Sequence, residues 1–157
     1  MMKPFFAALC LAVLAPTALA DEILAREWGA QAGHLYEDTS AALSGGDVSA
    51  RYEDDLVRFA VTADRLGSWI DATERPHDLG CIFRGMADEA ELQLGQLHQP
   101  EARDAALRRL ATLFHDAENL ALAAAYSDGQ SRPAAEVAPA SCPANPVSVH
   151  QYLTEQP

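Results

Sequence analysis

Apolar residues recur at steps of three and four along most of this chain. The clearest run is Val48, Tyr52, Leu56, Phe59, Ala63, Leu66 and Ile70, which repeats every 3.5 residues or so and lies on one face of a helix. Arg51, Glu53, Asp54, Arg58, Asp64 and Arg65 occupy the other faces. An earlier segment, 22–44, places Leu24, Trp28, Leu35 and Ala42 together, with Ala32 and Thr39 beside them. Gly45-Gly46 ends it, because glycine accepts the left-handed conformation at a helix terminus. Asp47 then stands where a side-chain cap opens the second helix, which continues to about Thr73 before Pro76 forces a break.

A third helix is predicted from Asp78, as its cap, to Leu97. Leu79, Ile82, Phe83, Met86, Ala90, Leu94 and Leu97 mark its buried side. Pro100 suits the first turn of a fourth helix, with Glu101 and Asp104 at the positive end of its dipole. Leu107, Leu110, Phe114, Ala117, Ala121 and Ala124 form its stripe, and Asp128-Gly129 closes it after Tyr126. Four helices of similar length with short connections, each with one apolar stripe, predict an all-α, up-down-up-down four-helix bundle over residues 21–129.

The two ends of the chain differ from this pattern. Residues 1–20 read as a signal peptide: Lys3 is the positive start, Phe5 to Leu14 form an apolar stretch too short to span a bilayer, and Ala18-Leu19-Ala20 supplies small residues before a cleavage site at Asp21. A lipid anchor at Cys10 fits poorly, since Leu9 fills a position that usually holds a small residue. The expected product is periplasmic or secreted, without a stable membrane anchor. Residues 130–157 carry Pro133, Pro139, Pro143 and Pro146, which forbid a continuous helix. They read as a Pro-rich tail packed on, or tethered to, the bundle, with Val147, Val149, Tyr152 and Leu153 as an extended strap.

Cysteine usage links the tail to the bundle. Cys10 leaves with the signal peptide, and Cys81 and Cys142 remain as an even pair in an oxidising compartment. They are expected to form a structural disulfide, worth about 4 kcal/mol in the chain-entropy model. The chain has no C-x-x-C, so a redox pair or a two-thiolate metal site is not the expectation, and without C-x-x-C-H covalent haem of the c type is excluded.

Charge narrows the function classes. Eleven Lys and Arg face 23 Asp and Glu, and losing Lys3 takes the net charge from −12 to −13. Such a surface repels nucleic-acid phosphates and anionic lipid, and attracts cations or a basic partner. No H-E-x-x-H, G-x-S-x-G or Walker loop occurs. Asp54-Asp55 and Asp88-Glu89 read as solvated carboxylates, and Arg84, within the run Cys81-Ile82-Phe83-Arg84-Gly85-Met86, as a surface ion-pair partner first and an anion contact second.

Two H-x-x-E pairs are the candidate chemistry. His34 with Glu37 on the first helix, and His115 with Glu118 on the fourth, each put a nitrogen and a carboxylate on one face. In an up-down bundle both histidines fall near mid-height on adjoining helices, so the four side chains are a candidate site for a transition metal such as Zn or Cu. Against this, His34 and His115 each stand about 100° from the neighbouring core residue, Leu35 or Phe114, and flank the seam. Non-covalent haem would require an axial pair such as Met86 with His115, although Met86 suits ordinary core packing. No cofactor is expected. Gly29 and Gly33 with Ala25 and Ala32, and Gly80 with Gly85, point to close helix packing. The leading expectation is a non-enzymatic bundle that binds a partner protein or small ligand, and the alternative is a metal- or haem-binding bundle.

Overall fold

The computed structural model describes residues 17–73, 75, 77–126 and 142. Most of the expected signal peptide therefore lies outside the described residues, as do the strap residues and all of the tail except Cys142. The four helices are α1 (Thr17–Leu43), α2 (Tyr52–Asp71), α3 (His77–Leu97) and α4 (Arg103–Tyr126). Among the described residues there is no β-strand. No helix among them is long and apolar enough to cross a membrane.

Each helix packs on its two neighbours in the ring α1-α2-α3-α4, which is the predicted bundle. The ring is uneven. α1 lies closest along α4, and α2 along α3, whereas the α1/α2 and α3/α4 seams are looser. Small residues set the tight seams. A Cβ on Gly29 would stand 2.6 Å from Ala121 Cβ, and one on Gly67 would stand 2.9 Å from the carbonyl oxygen of Gly80. Backbones thus meet where side chains are missing.

The predicted stripes are the core. Trp28 and Leu35, the α2 series from Tyr52 to Ile70, and Leu107, Leu110 and Phe114 are all buried. One aromatic from each helix fills the axis at a single level. Trp28 stacks on Phe59 with centroids 4.7 Å apart and meets Phe83 at 5.1 Å, and Phe114 meets Phe59 edge-on at 5.1 Å. The indole Nε1–H donates to the Phe59 carbonyl oxygen at 3.0 Å, so the one polar group of the tryptophan is satisfied inside the core.

Helix boundaries depart from expectation in four places. α1 starts at Thr17 and not Glu22, because Ala18, Leu19 and Ala20 are strong helix formers that extend the helix back toward Pro16. α2 starts at Tyr52, so Asp47 is not its cap. Arg51 precedes the helix without a capping side chain, and Glu53, Asp54 and Asp55 supply the first-turn negative charge instead. Asp78 lies inside the first turn of α3 and also acts through the dipole, not as a cap. Pro100 belongs to a turn before α4, in which the Gln99 carbonyl accepts from the N–H groups of Ala102 and Arg103, both at 2.9 Å.

The end of α1 follows the sequence closely. Gly45 takes φ +96°, its N–H donates to Ala42 O, and the Gly46 N–H donates to Ala41 O, each at 3.1 Å. This is a Schellman closure of the helix. Beyond it, Tyr52 is tied back to α1 through Thr39, at 2.6 Å. Since the Thr39 hydroxyl donates its one hydrogen to Leu35 O at 2.6 Å, the tyrosine hydroxyl is the donor to Thr39.

Candidate functional site

The four candidate metal residues do not converge. His34, Glu37, His115 and Glu118 are all exposed, and among the described residues no group of three or more His, Cys, Asp or Glu is arranged to hold a metal ion. The reason is angular. His115 stands beside Tyr36, with ring centroids 6.2 Å apart, on the α1/α4 seam. Tyr36 is two residues from His34, which is about 200° around the helix. His34 accordingly faces α2, where it lines a different groove. Glu118 turns over Gly33, whose missing side chain makes room for its carboxylate. The proposed axial pair for haem is divided in the same way: Met86 is buried in the core and His115 is exposed.

The loose seams carry grooves. Between α1 and α2 a groove of about 430 Å³ is lined by Glu27, Gln31, His34 and Asp38 from α1, and by Asp55 and Arg58 from α2, with Ala30 and Leu35 as its apolar lining. Gln31 Nε2 donates to the Asp55 carbonyl oxygen at 2.9 Å and so pins one side of it. Arg58 is engaged by Asp55 at 3.2 Å. On the other loose seam, Glu89, Arg108, Arg109, Thr112, Leu113 and Asp116 line a more open depression of about 530 Å³.

A third locus lies where α2 ends and α3 begins. Cys81 is bridged to Cys142, with Cα atoms 5.4 Å apart, so the tail is tethered as expected. Cys81 is buried although it lies on the side of α3 opposite the apolar stripe, while Cys142 is exposed. Arg84, one turn along α3, donates through Nη1 to Asp71 Oδ2 at 2.6 Å, and its Nη2 faces Cys142 Sγ at 3.1 Å and Cys81 Sγ at 3.6 Å. The ion pair read from sequence as a surface contact is partly buried, its side chains 23% and 13% exposed. Gly80 leaves the space that Asp71 occupies: a Cβ there would be 2.5 Å from Asp71 Oδ1.

Sequence periodicity missed Arg75 and Asp71. Arg75, in the α2–α3 connection, is almost fully buried, lies 4.2 Å over the Trp69 ring and reaches Glu22 of α1 at 3.4 Å. Its only signal was an arginine beside a helix-breaking proline. Asp71 had none, because its role depends on a helix crossing. Comparison with protein-family models, with characterised proteins and with solved structures finds no match to this chain.

Proposed function

We propose that the protein is an exported, non-enzymatic binding module that takes a cationic ligand, or a basic segment of a partner protein, along the α1/α2 groove. One observation carries this reading. Glu27, Asp38 and Asp55 line a single groove in which Arg58, among the described residues its only basic side chain of fixed charge, is already engaged by Asp55. The surrounding chain carries net charge −12, and a cleft lined by one sign of charge focuses that field on an approaching cation. The filled axial layer of Trp28, Phe59, Phe83 and Phe114 supports recognition at the surface over chemistry in the interior. The Cys81–Cys142 bridge fits an oxidising compartment, as export requires.

The test is titration of the oxidised protein with an oligo-arginine peptide, with an oligo-glutamate peptide as the control. The cationic peptide is expected to bind, more weakly as salt rises. E27Q/D38N should lose most of that binding, about tenfold, while D88N/E91Q, which removes equal charge from exposed positions on α3, should keep it. Equal losses in the two variants would mean diffuse attraction to net charge and would remove the groove from the account.

A further inference from the structure

We propose that the Cys81–Cys142 bridge is an exchangeable disulfide, opened by thiol attack on Cys142 and poised by the Arg84 guanidinium. Three observations converge on it. Cys142 is exposed while Cys81 is buried, so the sulfur presented to an external reagent is that of Cys142. One guanidinium nitrogen faces both sulfurs, at 3.1 and 3.6 Å, where it meets whichever becomes anionic. The other nitrogen is fixed by Asp71 at 2.6 Å, so the cation is held in place before any charge develops.

An external thiolate attacks Cys142 Sγ and forms a mixed disulfide, and the electron pair of the broken bond leaves on Cys81 Sγ as a thiolate beside Arg84. When the reagent is a dithiol, its second thiolate attacks its own sulfur in the mixed disulfide and expels Cys142 as a thiolate. The dithiol becomes a disulfide, the protein gains two electrons, and the two protons given up by the dithiol pass to the two cysteines. The partner class is therefore a dithiol, or a single thiol where the mixed disulfide is the end point.

The charges around the bridge oppose one another, and this fixes the signs. Arg84 from α3 favours a thiolate, whereas Asp71 from α2 disfavours one. Asp78, also on α3, is exposed, and water screens it. Removing Arg84 takes away the attraction and leaves Asp71 opposite the sulfurs. Removing the Asp71 charge leaves the guanidinium uncompensated. A purely structural role for the ion pair would not make the two substitutions act in opposite directions on the bridge.

The experiment equilibrates the folded protein in mixtures of oxidised and reduced dithiothreitol, then quantifies Cys81 and Cys142 by alkylation and mass spectrometry. R84Q is expected to make the bridge about tenfold harder to reduce, equivalent to roughly 30 mV for a two-electron couple. D71N should shift the equilibrium the other way, and R84K should stay near the parent. Shifts under twofold in both variants, or shifts of the same sign, would overturn the proposal. If R84Q does not fold, D71N and the reduced parent decide. The alkylation rate of the parent should then titrate with a midpoint below the value of about 8.5 for a free cysteine, and a midpoint at or above it would also overturn the proposal.

Discussion

Trp28 on α1 lies against Phe59 on α2 in two ways at once, ring on ring at 4.7 Å and indole N–H on backbone carbonyl at 3.0 Å. The two contacts separate by substitution. W28F keeps most of the buried area and loses the hydrogen bond, at an expected cost of about 1–2 kcal/mol. W28A opens a cavity in the axial layer and should cost about 3–5 kcal/mol. Urea unfolding midpoints measure both, and equal costs would mean that the aromatic layer is not what Trp28 contributes.

Tyr52 makes the bundle sensitive to alkali. Burial pushes its phenol from the ordinary 10.0 up to about 12, and nearby Asp38 adds to that rise. The folded state therefore holds the proton after the unfolded chain has lost it. Stability is unaffected below about pH 10 and falls between about pH 10 and 12, by some 2–3 kcal/mol in all. Y52F should flatten that part of the profile while costing only about 0.5–1.5 kcal/mol at pH 7, because Thr39 keeps Leu35 O as its acceptor. Parallel unfolding series at pH 9 to 12 check the difference.

Gly29 and Gly33 should respond with opposite signs to the same change. The Cβ added by G29A meets Ala121 Cβ, a short side chain that cannot turn away, so α1 and α4 must part and about 1–3 kcal/mol is lost. The Cβ added by G33A meets the far end of the exposed Glu118 side chain, which can rotate outward, so the helix-propensity gain of roughly 0.5–1 kcal/mol survives. Adding A121G to G29A should restore the loss, and thermal unfolding of the three variants is the measurement.

Gly45 and Gly95 form a second contrast. Gly45 holds φ +96°, where alanine is strained, and G45A should cost about 1–2 kcal/mol. Gly95 lies within α3 with open space around its Cα, so G95A should stabilise by about 0.5–1 kcal/mol. A gain in both would contradict the Schellman ending of α1.

The bundle was legible because each helix states its buried face through its own spacing. Spacing puts Tyr52, Leu56, Phe59, Ala63, Leu66 and Ile70 on one stripe, and all six are buried. Helix starts were less legible, since Val48 continues the period of α2 but precedes the helix, and spacing alone does not mark where hydrogen bonding begins. The disulfide followed from cysteine count and the compartment expected from the first twenty residues. The H-x-x-E pairs illustrate the opposite case. Spacing along one helix is fixed by its pitch, but whether His34 and His115 meet depends on the rotation of α1 against α4. Gly29 and Ala121 set that rotation, and it turns His34 toward α2. Arg84 and Asp71 belong to the same class, being neighbours only because two glycines let their helices touch.

The uneven ring has a consequence for the order in which the fold can close. α2 and α3 are consecutive, so their tight seam can zip as soon as Leu97 is available. α1 has its main partner in the last of the four helices and gains that seam only once α4 has followed. A polypeptide delivered amino-terminus first would therefore keep its first helix waiting for its last, and would complete its interior in one late step once Tyr126 has been delivered.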